Sequence, residues 1–284
     1  MTVPDIPTMT AARPVTSQWT VLPSWLPVPG MGALPVNSFL FKGPEPVLVD
    51  TGLAALGEAF IAALEREIDP EDLRWIWLSH MDADHVGNVR QMMERAPNAK
   101  VVTNFLGMGK MNLAGMDVSR VHLLEPGARL ELSDRDLVPL RPPYYDAPET
   151  IGFFDARDRV LFAADSFGAL LPEAVDEIDS VAGDMLRDGL VGWSSIDAPW
   201  LTTVDRDTLG RTLRSIERLD PAVVLSGHLP LARGGVRRLT GHVERAYCRG
   251  RDTAIDPLAI EHVEAAFAWS GAAGVEAPRR DRRA

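Results

Sequence analysis

The sequence predicts an α/β protein of the mixed α+β type, in which two mixed β-sheets are flanked by helices. Short apolar runs of strand length recur along the chain, joined in some places by amphipathic helices and in others by tight turns. With 284 residues, 46% of them hydrophobic, the chain can bury a full core unaided. The irregular alternation of helical crossovers and hairpins favours two covered sheets over a single doubly wound sheet.

In the first half of the chain, strands are predicted where a short apolar run ends in a polar residue or glycine. These runs are WTVL, SFLF, PVLVD ending at Asp50, LRWIWL at 73–78 and the segment 100–103. Residues 54–67 carry apolar side chains at spacings near 3.6, which predicts a helix after PVLVD. A second helix is predicted at about 86–95.

In the second half, the predicted elements are mostly strands until residue 205. The strand segments are 121–124, 129–132, 137–140, 151–155, 159–163 and 222–225. Residues 156–158 form the turn of a predicted hairpin. The spacing of Leu209, Leu213, Ile216 and Leu219 predicts an amphipathic helix, and residues 231–270 are expected to be mainly helical. The expected organisation is a flexible leader at 1–18, one domain at 19–235 and a helical extension with a frayed basic tail at 236–284.

Composition excludes several classes of function. A net charge of −11 argues against a nucleic-acid partner, because such binding depends on clustered Lys and Arg. The single Cys248 permits no internal disulfide, which favours a reducing compartment and makes the cytoplasm the expected location. The sequence has no apolar stretch of the roughly 20 residues that cross a bilayer, so no membrane partner is expected.

The richest chemical motif is HMDADH, between a predicted buried strand and a predicted helix. It offers four candidate metal ligands in six positions, His80, Asp82, Asp84 and His85. In an extended turn, alternate side chains point the same way, so His80, Asp82 and Asp84 can converge while His85 approaches from the helix. Helix capping would account for one Asp but not for the whole set. The cluster suits two cations.

The motif and three further segments resemble the metallo-β-lactamase superfamily, whose signature here is HxHxDH. The four segments occur in the expected order, and the resemblance covers about residues 19–235. They are VLVDTG at 47–52, LSHMDADHVGN at 78–88, VLFAADSFG at 160–168 and VVLSGH at 223–228. The resemblance implies an αββα sandwich with a two-metal site at one edge, and it implies that Asp50 supports the metal loop.

Within that superfamily, the sequence is most similar to the diiron domains of flavodiiron proteins and their flavin-free oxygen-binding relatives. Those proteins have a carboxylate, usually Glu, where this chain has Asp82, and usually His where it has Asp146. Asp165 matches their bridging carboxylate and His228 their last imidazole. The ligand sets that the resemblance implies are His80, Asp82 and Asp146 on one metal, Asp84, His85 and His228 on the other, and Asp165 on both.

Charge and donor type bear on the metal and on the reaction. Two carboxylates about 4 Å apart repel by about 4 kcal/mol at an effective dielectric near 20, so four of them require cations. Four carboxylates with three imidazoles form a hard set that suits iron, or else manganese, better than zinc. Four negative ligands also balance two Fe(II) ions, which favours redox chemistry or oxygen binding over hydrolysis.

The expected function is therefore that of a non-haem diiron protein that binds O2, or reduces O2 or NO. The chain has no room for a flavodoxin domain, so the electrons are expected from a redox partner protein, and the resemblance also implies a homodimer. A dinuclear hydrolase acting on an ester, lactone or similar bond is the alternative. A non-catalytic oxygen or redox sensor is another, as is a degenerate site with one metal or none. No catalytic residue is expected beyond the metal ligands. Residues 169–201, with Trp193, are expected to pack the fold, the alternative being that they line an entrance to the site.

Overall fold

The structure, a computed structural model, describes residues 6–124 and 127–252, and the side chains only as far as residue 248. The elements in chain order are β1 Thr8–Met9, β2 Arg13–Pro14, β3 Trp19–Val28, β4 Gly32–Phe41, β5 Val47–Val49, α1 Gly57–Glu65, β6 Trp75–Trp77, α2 Ala83–Val86, α3 Val89–Arg95, β7 Lys100–Thr103, α4 Phe105–Leu113, β8 Val121–Leu123, β9 Leu130–Glu131, β10 Asp136–Leu140, β11 Gly152–Asp155, β12 Val160–Phe162, α5 Gly183–Asp197, α6 Arg206–Arg218, β13 Val223–Leu225, β14 Ala232–Arg233 and α7 Val236–Asp252.

The strands form two mixed sheets. The first has the order β1-β3-β4-β5-β6-β7-β8, with β2 also paired to β3, and the second has the order β14-β13-β12-β11-β10-β9. In the first sheet β5, β6, β7 and β8 are parallel, while in the second the parallel pair is β12 with β13. Because the carboxyl ends of parallel strands lie at one edge of a sheet, each sheet gathers several loops at one edge.

The core has three layers, and side-chain alternation along the strands separates them. On β5, Val47 and Val49 pack between the two sheets, whereas Leu48 packs beneath helices α1 and α3. The outer face of the second sheet packs against α5, α6 and α7, with Leu161 on the sheet and Leu190 on α5 in one cluster. This arrangement is the αββα sandwich with two mixed sheets that the sequence predicted.

Most predicted elements are confirmed, with differences that have physical causes. Strands β3 and β4 are longer than WTVL and SFLF indicated, because their prolines at 23, 27 and 35 are accommodated within the paired ladder. Helices α4 and α5 were not predicted. Both are rich in glycine, which has low helix propensity, so their sequences lack a helical signature.

The two ends of the predicted domain also differ from expectation. Within the expected flexible leader, β1 and β2 pair with β3, because β3 is paired with β4 along one edge over its full length and offers its other edge. Helix α7, in the expected extension, contributes Leu239 and Val243 to the same core as α5 and α6. The expected basic tail lies outside the described residues. In the described part of the chain, no helix has the length and apolar character needed to span a membrane.

Candidate metal centre

All the candidate ligands except Asp146 lie on loops that follow parallel strands of the two sheets. His80 follows β6 and leads into α2, which carries Asp84 and His85. Asp165 follows β12 and His228 follows β13, so these two side chains come from the second sheet. Asp146 lies in the loop between β10 and β11. The edges of the two sheets thus bring distant segments of the chain together.

The structure brings all seven predicted ligands together in two groups. The first group consists of His80, Asp82 and Asp146, and the second group of Asp84, His85 and His228; in each, one donor atom per residue lies within 4.8 Å of the others. Asp165 lies between the groups. These groups are the same as the two sets that the resemblance implied.

The carboxylate of Asp165 presents one oxygen to each group. Its Oδ2 lies 3.0 Å from Nε2 of His80, in the first group. Its Oδ1 lies 3.0 Å from Nε2 of His85 and 3.4 Å from Nε2 of His228, both in the second group. The side chain of Asp165 is only 3% exposed. This is the geometry expected of a carboxylate that bridges two cations.

Each imidazole is held by its other nitrogen. Nδ1 of His80 lies 2.9 Å from Oγ of Ser79, Nδ1 of His85 lies 2.9 Å from Oδ2 of Asp50, and Nδ1 of His228 lies 2.8 Å from the carbonyl of Pro35. When these oxygens accept a proton from Nδ1, the lone pair is on Nε2, the nitrogen that faces Asp165. Fixing the tautomer in this way is typical of metal-binding histidines.

Orphaned atoms test whether a cation fits. Among the described residues, Nε2 of His80, Nε2 of His85 and Oδ1 of Asp165 are buried without a hydrogen-bonding partner, since their close approaches to one another lack hydrogen-bonding geometry. Gly227 adds a close fit, because a Cβ there would lie 2.8 Å from Cε1 of His85 and 3.0 Å from Oδ1 of Asp165. Because buried polar atoms are almost always paired, these unpaired nitrogen and oxygen atoms are expected to have a partner, and metal ions fit that role.

Without cations, protons compensate the charges. Burial would lower the pKa of His80, but Asp165 and Asp146 outweigh burial and raise that pKa to about 9. Burial is likewise outweighed at His85, where Asp165 and Asp84 raise the pKa well above its usual value. The pKa of Asp165 moves the other way, because His85 and His80 overcome its burial and hold it well below its usual range.

Asp50 supports the metal loop, as the resemblance implied. Its Oδ1 accepts the backbone N–H of Ser79 at 2.8 Å, and its Oδ2 accepts the hydroxyl of Ser79 at 2.7 Å as well as contacting His85. Asp50 is 1% exposed and has a φ of 55°, a left-handed conformation that Asp tolerates better than most residues. It links both groups, since Ser79 in turn contacts His80.

The turn that carries Asp165 is also strained. Ala164 before it has a φ of 47° and Phe167 after it has a φ of 72°. The backbone N–H of Phe167 donates to the hydroxyl of Tyr144 at 2.6 Å, and the hydroxyl of Ser166 donates to the carbonyl of Tyr144 at 2.5 Å. Tyr144, which lies two residues before Asp146 in the chain, thus fixes the Asp165 turn.

Sequence reasoning missed one acidic residue of the centre. Asp197, at the end of α5, brings a carboxylate oxygen within 4.8 Å of the oxygens of Asp146 and Asp165. Burial, and then Asp165 and Asp146, raise the pKa of Asp197 to about 8. Trp193, one helical turn earlier, lies with its ring 5.1 Å from that of His228, so it packs against the second group and not only within the fold. The missing signal was helical periodicity in residues 183–197.

The sequence matches a known family and several known proteins. The model of the metallo-beta-lactamase superfamily matches residues 31–228. The type A flavoprotein of Rhodobacter capsulatus is 29% identical over 213 residues, which cover 74% of this chain and 48% of that protein. The putative diflavin flavoprotein A 1 of Thermosynechococcus vestitus is 28% identical over 199 residues, 69% of this chain and 34% of that protein. The chain therefore spans about half the length, or less, of these relatives.

Two solved structures show the same fold. Rubredoxin oxygen:oxidoreductase from Desulfovibrio gigas aligns with a TM-score of 0.71 at 18% identity, over 84% of this chain and 61% of that chain. A fragment, residues 1–254, of the putative diflavin flavoprotein A 5 from Nostoc sp. PCC 7120 aligns with a TM-score of 0.71 at 17% identity, over 87% of this chain and 99% of that chain. These structures confirm the predicted fold, and the sequence likeness to the flavoprotein relatives agrees with the predicted resemblance.

Proposed function

This chain belongs to the metallo-β-lactamase superfamily, and we propose that it is a non-haem diiron protein that binds O2, or reduces O2 or NO. The seven candidate ligands, His80, Asp82, Asp84, His85, Asp146, Asp165 and His228, are proposed to hold the two irons. The electrons are proposed to come from a separate partner protein, since the curated relatives matched over part of their length are flavoproteins.

One observation carries the proposal. The two oxygens of Asp165 face different imidazole groups, at 3.0 Å from His80 on one side and 3.0 Å from His85 on the other. A carboxylate that served a single ion would direct both oxygens, or one of them, to one group. The divided arrangement supports a pair of adjacent ions that share Asp165.

The donor set favours iron over zinc. Three imidazole nitrogens stand with four carboxylates, and hard oxygen donors suit iron or manganese, whereas zinc sites favour His and Cys. Two irons held there would supply adjacent one-electron redox centres for a small diatomic molecule. The carboxylates at Asp82 and Asp146 argue against the hydrolase alternative, because they remove the excess positive charge that acidifies water at a dizinc site.

The surroundings of the site suit a small apolar ligand. The rings of Trp193 and His228 are in edge contact, and Phe167 and Tyr144 are fully buried behind the Asp165 turn. Asp84 and Asp146 remain 24% and 23% exposed, so solvent reaches the site from their side. The aromatic residues are proposed to exclude water from one side of the site, and the entrance is proposed to lie on the side of Asp84 and Asp146.

Metal content and turnover test the proposal. The chain is to be produced with added iron, and its metals measured by mass spectrometry together with its visible absorption spectrum. About two irons per chain, an oxo-to-iron charge-transfer band and consumption of O2 or NO with a chemical reductant are expected. A preparation reconstituted with zinc serves as the control and is expected to consume neither gas.

The opposite result is equally clear. Preferential binding of zinc, together with turnover of esters or lactones, would overturn the diiron proposal in favour of a hydrolase. Two irons without reductase turnover, but with reversible O2 binding, would retain the diiron centre and assign it to oxygen binding or sensing.

We also propose that the chain is cytoplasmic and forms a homodimer. The mass of the particle in solution, measured by light scattering, tests the homodimer.

A further inference from the structure

Helix α5 reaches the metal centre through an acidic residue that the family motifs do not include. Asp197 is the last residue of α5, and one of its carboxylate oxygens lies within 4.8 Å of donor oxygens of both Asp146 and Asp165. These two residues belong, respectively, to the first group and to the bridging position. Asp197 therefore approaches the first group from an element separate from the HMDADH loop.

The helix is held in this position by several contacts. A Cβ on Gly189 would lie 2.1 Å from the carbonyl oxygen of Leu170, so only glycine lets α5 pack directly on the segment after the Asp165 turn. The N–H of Leu170 donates to the carbonyl of Gly189 at 3.2 Å. The hydroxyl of Ser194 donates to the hydroxyl of Tyr144 at 3.1 Å, which ties α5 to the loop of Asp146. The glycine that obscured the helix in the sequence thus permits its close approach.

The carboxylate of Asp197 is poorly compensated in this position. Its Oδ2 is buried and has no hydrogen-bonding partner among the described residues. The groups that act most strongly on it are the carboxylates of Asp165 and Asp146, followed by His80. The ionised form of an acid in this setting is stabilised by a cation that the acid shares with its neighbours.

A second observation shows that a ligand belongs at this point. His80 is fully buried, and its Nε2 is unpartnered while lying 3.8 Å from Oδ1 of Asp146 and 3.0 Å from Oδ2 of Asp165. The imidazole is thus directed at the two carboxylates that Asp197 also approaches. One nitrogen and three carboxylates surround the same small volume.

We propose that Asp197 is an additional ligand of the metal in the first group, so that this ion is held by His80, Asp146, Asp165 and Asp197. The inference rests on the proposed two-metal function and extends it. Asp82, whose residue is exposed and whose side chain is one methylene shorter than the Glu usual in the family, then contributes less to this ion. The first group becomes a carboxylate-rich site, and hard oxygen donors reduce the usual advantage in affinity that Zn(II) has over Mn(II) and Fe(II).

Titration with Mn(II) tests the assignment, using wild type and Asp197→Asn. Free Mn(II) is counted from its electron paramagnetic resonance signal. Wild type is expected to bind two Mn(II) per chain. Asp197→Asn is expected to retain one ion at wild-type affinity and to bind the other at least tenfold more weakly. Asp184→Asn changes an exposed acid on the same helix, so it is the matched control and is expected to match wild type.

Two further measurements separate a ligand from a structural residue. In the metal-free state, Asp197→Asn is expected to melt at the same temperature as wild type or higher, because it removes a carboxylate that faces two others. In competition experiments its affinity for Mn(II) in the first group is expected to fall by a larger factor than its affinity for Zn(II). Asp146→Asn should weaken the same single ion.

The outcomes distinguish this inference from the proposed function. If wild type binds two Mn(II) and Asp197→Asn binds both with wild-type affinity, the role of Asp197 is refuted while the two-metal centre stands. A lower melting temperature of metal-free Asp197→Asn would equally refute it, by indicating a structural role. If wild type itself binds no metal, the proposed function fails, and the inference fails with it.

Discussion

The hydrogen bonds of Asp50 make a sharp prediction for the substitution Asp50→Asn. In the native protein, two carboxylate oxygens receive three groups: the backbone N–H of Ser79 at Oδ1, and the hydroxyl of Ser79 and Nδ1 of His85 at Oδ2. The backbone N–H can only donate, so the oxygen of the new amide must remain at the Oδ1 position. The amide NH2 then occupies the Oδ2 position and faces Nδ1 of His85.

This reversal changes which ring nitrogen carries the proton in His85 and in His80, and so affects both candidate metal groups. An amide that donates to Nδ1 of His85 places the ring proton on Nε2, the nitrogen that would bind metal. The hydroxyl of Ser79 can no longer donate to residue 50, so it turns and donates to Nδ1 of His80, with the same effect in the first group. Loss of such orienting partners typically weakens metal affinity about 10- to 100-fold, or about 1.4 to 2.8 kcal/mol, and here we expect it for both ions.

The assay is a competition titration of Mn(II) or anaerobic Fe(II) against a chromogenic chelator. Ser79→Ala is the matched comparison, because it removes the hydroxyl bonded to His80 but leaves Asp50 in contact with His85; it should weaken one ion only. Asp155→Asn changes another fully buried carboxylate, which accepts hydrogen bonds from Trp19 and Arg135 between the sheets. It should lower the stability of the fold without lowering the number of metal ions bound per chain. If Asp50→Asn binds both ions with affinities within threefold of those of wild type, the proposed effect of Asp50 on the two imidazoles is refuted.

Two further predictions concern the bridging ligand and protons. Asp165→Ala should lose both metals, because the shared carboxylate serves both groups, whereas Asp146→Ala should lose one; elemental analysis that finds both ions in Asp165→Ala would contradict the bridge. Since the metal-free pKa of His80 is raised to about 9 and that of His85 well above its usual value, both rings are protonated at pH 7 and must release protons when ions bind. Metal affinity should therefore rise with pH up to about 9, and binding heats should differ between buffers of different ionisation enthalpy; identical heats in all buffers would contradict this.

The sequence predicted the sheets and the positions of the principal candidate ligands because their signals are local. On β6 and β13, a short apolar run ends directly in the polar residues of the site, as in LRWIWLSH and VVLSGH. The run identifies a buried strand, and the position after it identifies the sheet edge where loops converge. The pairing of HMDADH with Asp165 and His228 required, in addition, the order of the family's segments along the chain.

What the sequence did not predict depends on tertiary contacts. The three glycines in α5 lower its helix propensity, yet Gly189 is required where the helix packs on Leu170, so packing overrides propensity there. Asp197 consequently had no predicted helix to place it near the site. The same is true of β1 and β2, two residues each, whose pairing partner β3 lies elsewhere in the chain.

The left-handed residues around Asp165 have a consequence for engineering. Ala164 and Phe167 both have positive φ values, of 47° and 72°, and such conformations cost non-glycine residues roughly 1 to 3 kcal/mol each. Glycine at position 164 would relieve that cost for the loss of one methyl group, whereas glycine at position 167 would remove a fully buried ring, so a laboratory selection for heat resistance should enrich glycine at 164 only. The relaxed turn would sample more orientations of its carboxylate, and thermostable descendants of this chain should thus require higher concentrations of free metal to fill the centre.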